Sequence, residues 1–221
     1  MVVLATKIYV RGDAKDRALR SLQSLIANEI GELSVDMEIG IRHDGFPSVT
    51  LSGPDAPAAR SVLAEEWGAI TQPLTDETTY IGTLEQWDED GWDLDAGGVV
   101  RIPKSGLELG VGSAIQLVER FGLVQHQRLR FIAGDEPRLA PETVDQLFDW
   151  QRGPGRVNIN SVTRAEVRAT VNRAGHADDI VTVERLGLLE HSVICQEGTD
   201  PPGLLAAIGA HLPGQMRCVM P

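Results

Sequence analysis

The segment Ile115-Gln-Leu-Val-Glu-Arg-Phe-Gly-Leu-Val-Gln-His126 returns 65 positions later as Ile180-Val-Thr-Val-Glu-Arg-Leu-Gly-Leu-Leu-Glu-His191. Carried on to Leu139 and Leu204, the same offset gives ten identities in 25 aligned pairs, including Asp135/Asp200 and Pro137/Pro202. Background composition would supply roughly one or two. An offset held without gaps implies one supersecondary unit used twice, and it ties the second half of the chain into related modules. The two copies are therefore expected in equivalent places, with Gly122 and Gly187 sharing a backbone conformation at φ > 0. The local structure stays open at both. Ser113 and Asp178 align as N-caps, and Gly122-Leu123 and Gly187-Leu188 suit a helix ending in glycine followed by an apolar residue. The β-branched run Ile180-Val-Thr-Val183 instead favours a hairpin turning at Gly187 in the second copy.

Around this repeat the periodicity predicts an α+β chain of three units. Val2–Val10 reads as a strand, residues 14–30 as a helix with Asp13 as cap, 35–41 and 47–52 as strands, and 55–70 as a helix. This βαββα layer occupies 1–74, with Gln72-Pro73 as boundary. Over 75–135 the order is strand, acidic turn, strand, glycines, strand, which suggests an OB-like small β-barrel. Residues 136–221 form a connector helix at 141–150 and then strand, helix, strand, strand, helix, strand, the ferredoxin-like split βαβ order. Thr163-x-x-Glu166 is a capping box for its first helix.

The charge balance is unusual. There are 32 acidic against 20 basic residues, a net −12, and only Lys7, Lys15 and Lys104 are lysines. Heat adaptation would enrich lysine as well as glutamate, so an acid-rich, lysine-poor surface points to a salt-rich, halophilic cytoplasm. At about 1 M salt the Debye length is about 3 Å, so acidity there does not exclude an acidic partner. Cys195 and Cys218 form no CxxC pair and read as free buried thiols. The first ten residues contain Lys7 and read as a strand, not a leader, and no run suits a membrane span. The protein is expected to be cytoplasmic, without membrane association.

Two resemblances follow from particular residues. Tyr80-x-Gly82-x-Leu84 with Gly91-Trp92-Asp93-Leu94 resembles the opening of RNA-binding OB domains of the type found in the first small-subunit ribosomal protein. Glu119-Arg-Phe-Gly-Leu-Val-Gln-His126, Glu184-Arg-Leu-Gly-Leu-Leu-Glu-His191, residues 198–209 and Asp44-Gly-Phe-Pro-Ser-Val49 resemble an archaeal, haloarchaeal-type family, domain of unknown function 2110. That likeness covers essentially the whole chain. It implies an archaeal cytoplasmic protein and supplies no catalytic residues.

Several chemistry-bearing patterns remain. Gln86-x-Asp88-x-Asp90-Gly91 begins like a calcium loop, but its first position is Gln86 and its twelfth is Gly97, so it reads as an acidic turn. Leu109-Gly-Val-Gly-Ser113 lacks the third glycine or Gly-Lys-Ser/Thr of a phosphate loop. His191, Cys195 and Cys218 could suit zinc only if gathered in space. No catalytic residue, metal or cofactor is nominated. Glu119, Arg120 and His126, retained as Glu184, Arg185 and His191, could line two equivalent sites or serve the two turns structurally.

A local charge inversion is the last signal. Between Trp150 and Gly175, Arg152, Arg156, Arg164, Arg168 and Arg173 face only Glu166, a balance of +4, and Arg128 and Arg130 precede them. Arginine binds phosphate bidentately and stacks, and Trp92 could stack as well. These residues form either a nucleic-acid surface or ordinary ion pairs. The expected function is non-catalytic RNA binding in archaeal translation or RNA processing, with RNA or a ribonucleoprotein as partner. The alternatives are a protein–protein scaffold using sheet edges, or an enzyme using the duplicated Glu-Arg-His positions.

Overall fold

The computed structural model describes residues 1–220. The chain is mixed α and β, with three antiparallel sheets and a separate hydrophobic cluster beside each.

The N-terminal unit runs β1 (Val2–Val3), α1 (Asp13–Glu29), β2 (Asp36–Ile41), β3 (Pro47–Ser52) and α2 (Ala56–Trp67), with sheet order β1-β3-β2. Strand β2 alternates exposed and half-buried residues, and β3 buries Pro47, Val49 and Leu51 on one face. Helix α1 packs Ala18, Leu22 and Ile26 inward at helical spacing. The first strand is much shorter than expected. After a single bridge from Leu4 to Ala69, the chain leaves the sheet yet stays buried through Ile8, because Leu4 and Ile8 pack in the N-terminal cluster while Thr6 and Lys7 between them bond Leu188 and Asp95 of the other units.

The central unit comprises β4 (Thr79–Trp87), β5 (Gly91–Asp95), β6 (Val99–Pro103), α3 (Lys104–Leu107), α4 (Ala114–Arg120), β7 (Arg128–Ile132), β8 (Arg138–Leu139) and α5 (Pro141–Arg152). Its sheet has the order β6-β5-β4-β7-β8, and a register shift between Leu84 and Gln86 helps curl it into a half-barrel. Trp92, Leu94, Phe121 and Phe131 fill the barrel, and α5 adds Leu147 and Trp150 to the same cluster. The expected division after residue 135 assigned that helix to the last unit. It packs on the central one, since its apolar stripe faces the barrel.

The C-terminal unit follows as β9 (Arg156–Ile159), α6 (Arg164–Arg173), a 3-10 turn (Ala177–Asp179), β10 (Ile180–Arg185), β11 (His191–Cys195), α7 (Pro201–Gly209) and β12 (Met216–Val219). Its sheet order is β10-β11-β9-β12, every pairing antiparallel. Thr163 and Glu166 form the expected capping box.

The repeat does not become a structural repeat. The first copy is α4, capped by Ser113 with Gln116 and ended at Gly122, φ 59. The second is the β10–β11 hairpin, and Gly187 is absent from the left-handed residues. The expectation of equivalent places and a shared glycine conformation is overturned. A capping box nucleates helix in one copy, whereas β-branched residues zipped to β11 hold the other extended.

The hairpin also joins the units. Leu186 packs in the central cluster, while Leu188 and Leu189 pack in the N-terminal one.

Candidate functional site at the junction of three units

Where Leu4–Ile8, the end of β4, the residues before β7 and the 186–190 turn meet, polar side chains form a chain through otherwise apolar packing. Lys7 Nζ lies 2.7 Å from Asp95 and 3.0 Å from Glu85. Glu85 also faces His126 Nδ1 at 3.2 Å and accepts from the Thr83 hydroxyl at 2.6 Å. The His126 ring sits 3.8 Å from the Tyr9 ring, centre to centre. The Tyr9 hydroxyl donates to Glu190 Oε1 at 2.6 Å and accepts from the Ser161 amide at 2.9 Å. His126 and Ser161 have φ of 66° and 65°. Left-handed non-glycine residues cost on the order of 1 kcal/mol or more and persist where their surroundings hold them.

The electrostatics differ along this chain. Burial pulls the Glu85 carboxyl up, but hydrogen bonds from His126 and Thr83, the His126 charge and Lys7 hold it down at about 2. Glu190 has 0% exposure and no strong cation bonded to it, so burial pushes its carboxyl up to about 8 despite the Tyr9 bond. Its Oε2 has no partner among the described residues. Burial and then the nearby Glu190 push the Tyr9 phenol well above its ordinary value. Neighbouring His191, 1% exposed and with neither ring nitrogen bonded, is driven down to about 3 by burial and by the Arg185 charge.

Beside this chain lies a cavity of about 460 Å³ lined by Glu66 of α2, Ile81 of β4, Arg128, Leu129 and Arg130 of β7, Glu142, Thr143 and Gln146 of α5, and Arg185 and Leu186 at the end of β10. Arg128 and Arg130 are two apart on one strand, so the pleat aims both the same way. Among the described residues the Arg128 side chain donates only to the Glu66 carbonyl, at 3.2 Å, and its guanidinium lies 5.6 Å from the Trp67 ring. Burial lowers it to about 10, with the Arg130 and Arg185 charges adding to that fall and Glu190 and Glu66 opposing it. Burial, and then the Arg164 charge, lower Arg185 too. Among the described residues none of these three guanidiniums pairs with a carboxylate. The cavity can therefore present three cationic forks to an anion.

The other expected arginines are dispersed. Arg152 is exposed and pairs with Asp149; Arg156 is half-buried, 4.5 Å from the Trp150 ring and paired with Glu184. Arg164 donates to the Val183 carbonyl, while Arg168 and Arg173 stand exposed on α6. Trp92 has 0% exposure and donates to the Ala114 carbonyl, so it offers no stacking face. The duplicated polar positions also part company. Glu119 and Arg120 are exposed on α4 and His126 joins the junction chain, whereas Glu184 pairs with Arg156, Arg185 enters the cavity and His191 is buried unbonded.

The residues that sequence reasoning missed are Tyr9, Lys7, Glu85, Glu190, Glu66 and Glu142. Only Glu190 left a trace: it is a lone acid in the apolar run Leu186–Cys195, opposite Gln125 in the other copy. The rest come from distant elements and have no common spacing. Among the described residues no group of His, Cys, Asp and Glu is gathered for a metal, and no helix is long and apolar enough to cross a membrane.

No curated protein matches the chain. Family models match it over nearly its whole length: the DUF2110 N-terminal domain at 1–73, the DUF2110 central domain at 74–151 and the DUF2110 C-terminal domain at 154–220. The central match takes in α5, as does the packing. Three adjoining matches in family order make this chain a member of the DUF2110 family, domains of unknown function.

Proposed function

We propose that this is a non-catalytic RNA-binding protein acting in archaeal translation or RNA processing, in a salt-rich cytoplasm, and that RNA meets it at the junction cavity. The observation that carries the reading is the convergence of Arg128, Arg130 and Arg185 without a carboxylate partner. Unpaired arginines so close together repel one another and are relieved by an anion; phosphate suits their forked geometry. In high salt such direct contacts matter more than counterion release.

The sheet orders lend support. With α3 and α4 between β6 and β7, the order β6-β5-β4-β7-β8 fits an OB-like unit, and β10-β11-β9-β12 with helices α6 and α7 fits a ferredoxin-like one. Both architectures often bind RNA, although a fold alone does not assign function. A protein partner is the second reading, favoured by Val181, 57% exposed on edge strand β10, and Val99, 70% exposed on edge strand β6.

Ultraviolet crosslinking to single-stranded RNA, with mapping of the crosslinked peptides, tests the first reading. Crosslinks should fall on β7 and the end of β10 and should fade in the Arg130→Gln/Arg185→Gln variant. Crosslinks confined to α6 and Arg152 would move the interface to the exposed arginines. None at any salt concentration would leave the protein-partner reading.

A further inference from the structure

We infer that the junction cavity takes a phosphate monoester attached to a ribose, and thus the phosphorylated end of an RNA strand rather than a linkage in its interior. This rests on the RNA reading above. The first reason is the number of donors. Each guanidinium carries five N–H groups, and of the three lining this cavity only Arg128 is bonded through its side chain among the described residues, once, to the Glu66 carbonyl. An internal phosphodiester has one charge and two free oxygens, which two forks saturate. A monoester has three free oxygens and about −1.5 to −2 charges at neutral pH, enough to engage all three.

The second reason is the placing of the acids. Glu66 and Glu142 line the same cavity as the arginines. Along a continuous strand, the phosphates flanking the bound one would come up against these carboxylates. A strand end has a neighbour on one side only, and the carboxylates can accept hydrogen bonds from its ribose hydroxyls. Helix α5 adds to the attraction: it is twelve residues long, starts at Pro141, has no side-chain cap, and sends Glu142, Thr143 and Gln146 of its first two turns to the cavity. The macrodipole at its N-terminal pole favours an anion, less the share already taken by Glu142 in the first turn and by the Thr143 amide's bond to the Ala140 carbonyl. The volume, about 460 Å³, lies within the range of small-ligand pockets and suits one nucleotide.

A phosphate monoester on ribose has two sources, a strand end and a free nucleoside monophosphate. The test measures binding by anisotropy and calorimetry for four probes: an oligouridylate decamer with 5′-phosphate, with 3′-phosphate, with neither, and free UMP. The unsubstituted 221-residue chain is compared with Arg130→Gln and Arg185→Gln; Arg152→Gln, outside the cavity, is the control. Circular dichroism checks folding. Arg130 is exposed and bonded among the described residues only through its backbone, so its variant keeps the test usable should Arg185→Gln unfold. One phosphorylated decamer should bind at least tenfold tighter than the unphosphorylated one, with the gain lost in the cavity variants and kept in Arg152→Gln. Equal, measurable binding of all three decamers overturns the inference and leaves the RNA reading standing. Binding of UMP but of no decamer, lost in the cavity variants, overturns the RNA reading and keeps the monoester site. Binding of no probe overturns both.

Discussion

Residues 115–126 and 180–191 share Glu-Arg-x-Gly-Leu-x-x-His, yet one ends a helix and the other surrounds the turn of a hairpin. Their glycines show why the likeness is shallow. Gly122 is required for its own backbone, with φ 59 at the helix end and a Cβ position only 2.7 Å from Val219 Cγ2. Gly187 is required for its neighbour, since a Cβ there would overlap Glu190 Oε2. The histidines differ equally: His126 stacks on Tyr9 and meets Glu85, while His191 is enclosed without a bond. The same residue types were put to opposite uses because each copy is packed by different elements.

The comparison breaks most visibly in pH. The raised Glu190 binds its proton more tightly folded than unfolded, so its contribution to stability falls as pH rises from about 4.5 to about 8. The depressed His191 acts in the opposite sense, and stability rises with pH from about 3 to about 6.5. Glu85 adds a rise from about 2 to about 4.5. Stability should therefore rise to about pH 4.5, vary little to about 6.5 and fall beyond. Glu190→Gln should remove the Glu190 contribution, on the order of 5 kcal/mol over its whole window and about 2 kcal/mol of it as the alkaline fall beyond pH 6.5. Urea midpoints at several pH values check it; the same fall in the variant would place its source elsewhere.

The glycines come next. Gly122→Ala should cost about 1–3 kcal/mol from backbone strain alone, whatever occupies position 190. Gly187→Ala should cost roughly as much in the native background but about 1 kcal/mol or more less in Glu190→Ala, because the atom it overlaps is gone. A double-mutant cycle by chemical denaturation measures this. Equal coupling of both glycines to Glu190 would mean that the two turns are more alike than their geometry.

The smallest effects belong to the exposed pair of the first copy. Glu119→Ala and Arg120→Ala should each change stability by no more than about 0.5 kcal/mol and leave binding at the proposed RNA site untouched, whereas Arg185→Gln should weaken it. An equal loss of affinity from Arg120→Ala would restore the idea of two matched sites.

The α+β class, the helices over 13–29 and 164–173, the C-terminal order of strands and helices, the Thr163–Glu166 capping box and the Ser113 N-cap were legible in the sequence, because each depends on residues within one turn or one strand of each other. The early departure of the first strand was not, since Leu4–Ile8 is as apolar as a strand and only its neighbours decide otherwise. The site was least legible. Lys7, Glu85, His126, Tyr9 and Glu190 span 183 positions and converge from four places in the chain. The sequence by itself determined the local periodicities, the charge excess and the family. Tertiary packing alone decided which arginines stand without partners and which acid is buried, whereas the helix and the hairpin of the two like segments follow from the Ser113 cap in one and the β-branched run paired to β11 in the other. Hydrogen-bond partners and desolvation act between residues far apart in the chain, where no spacing records them.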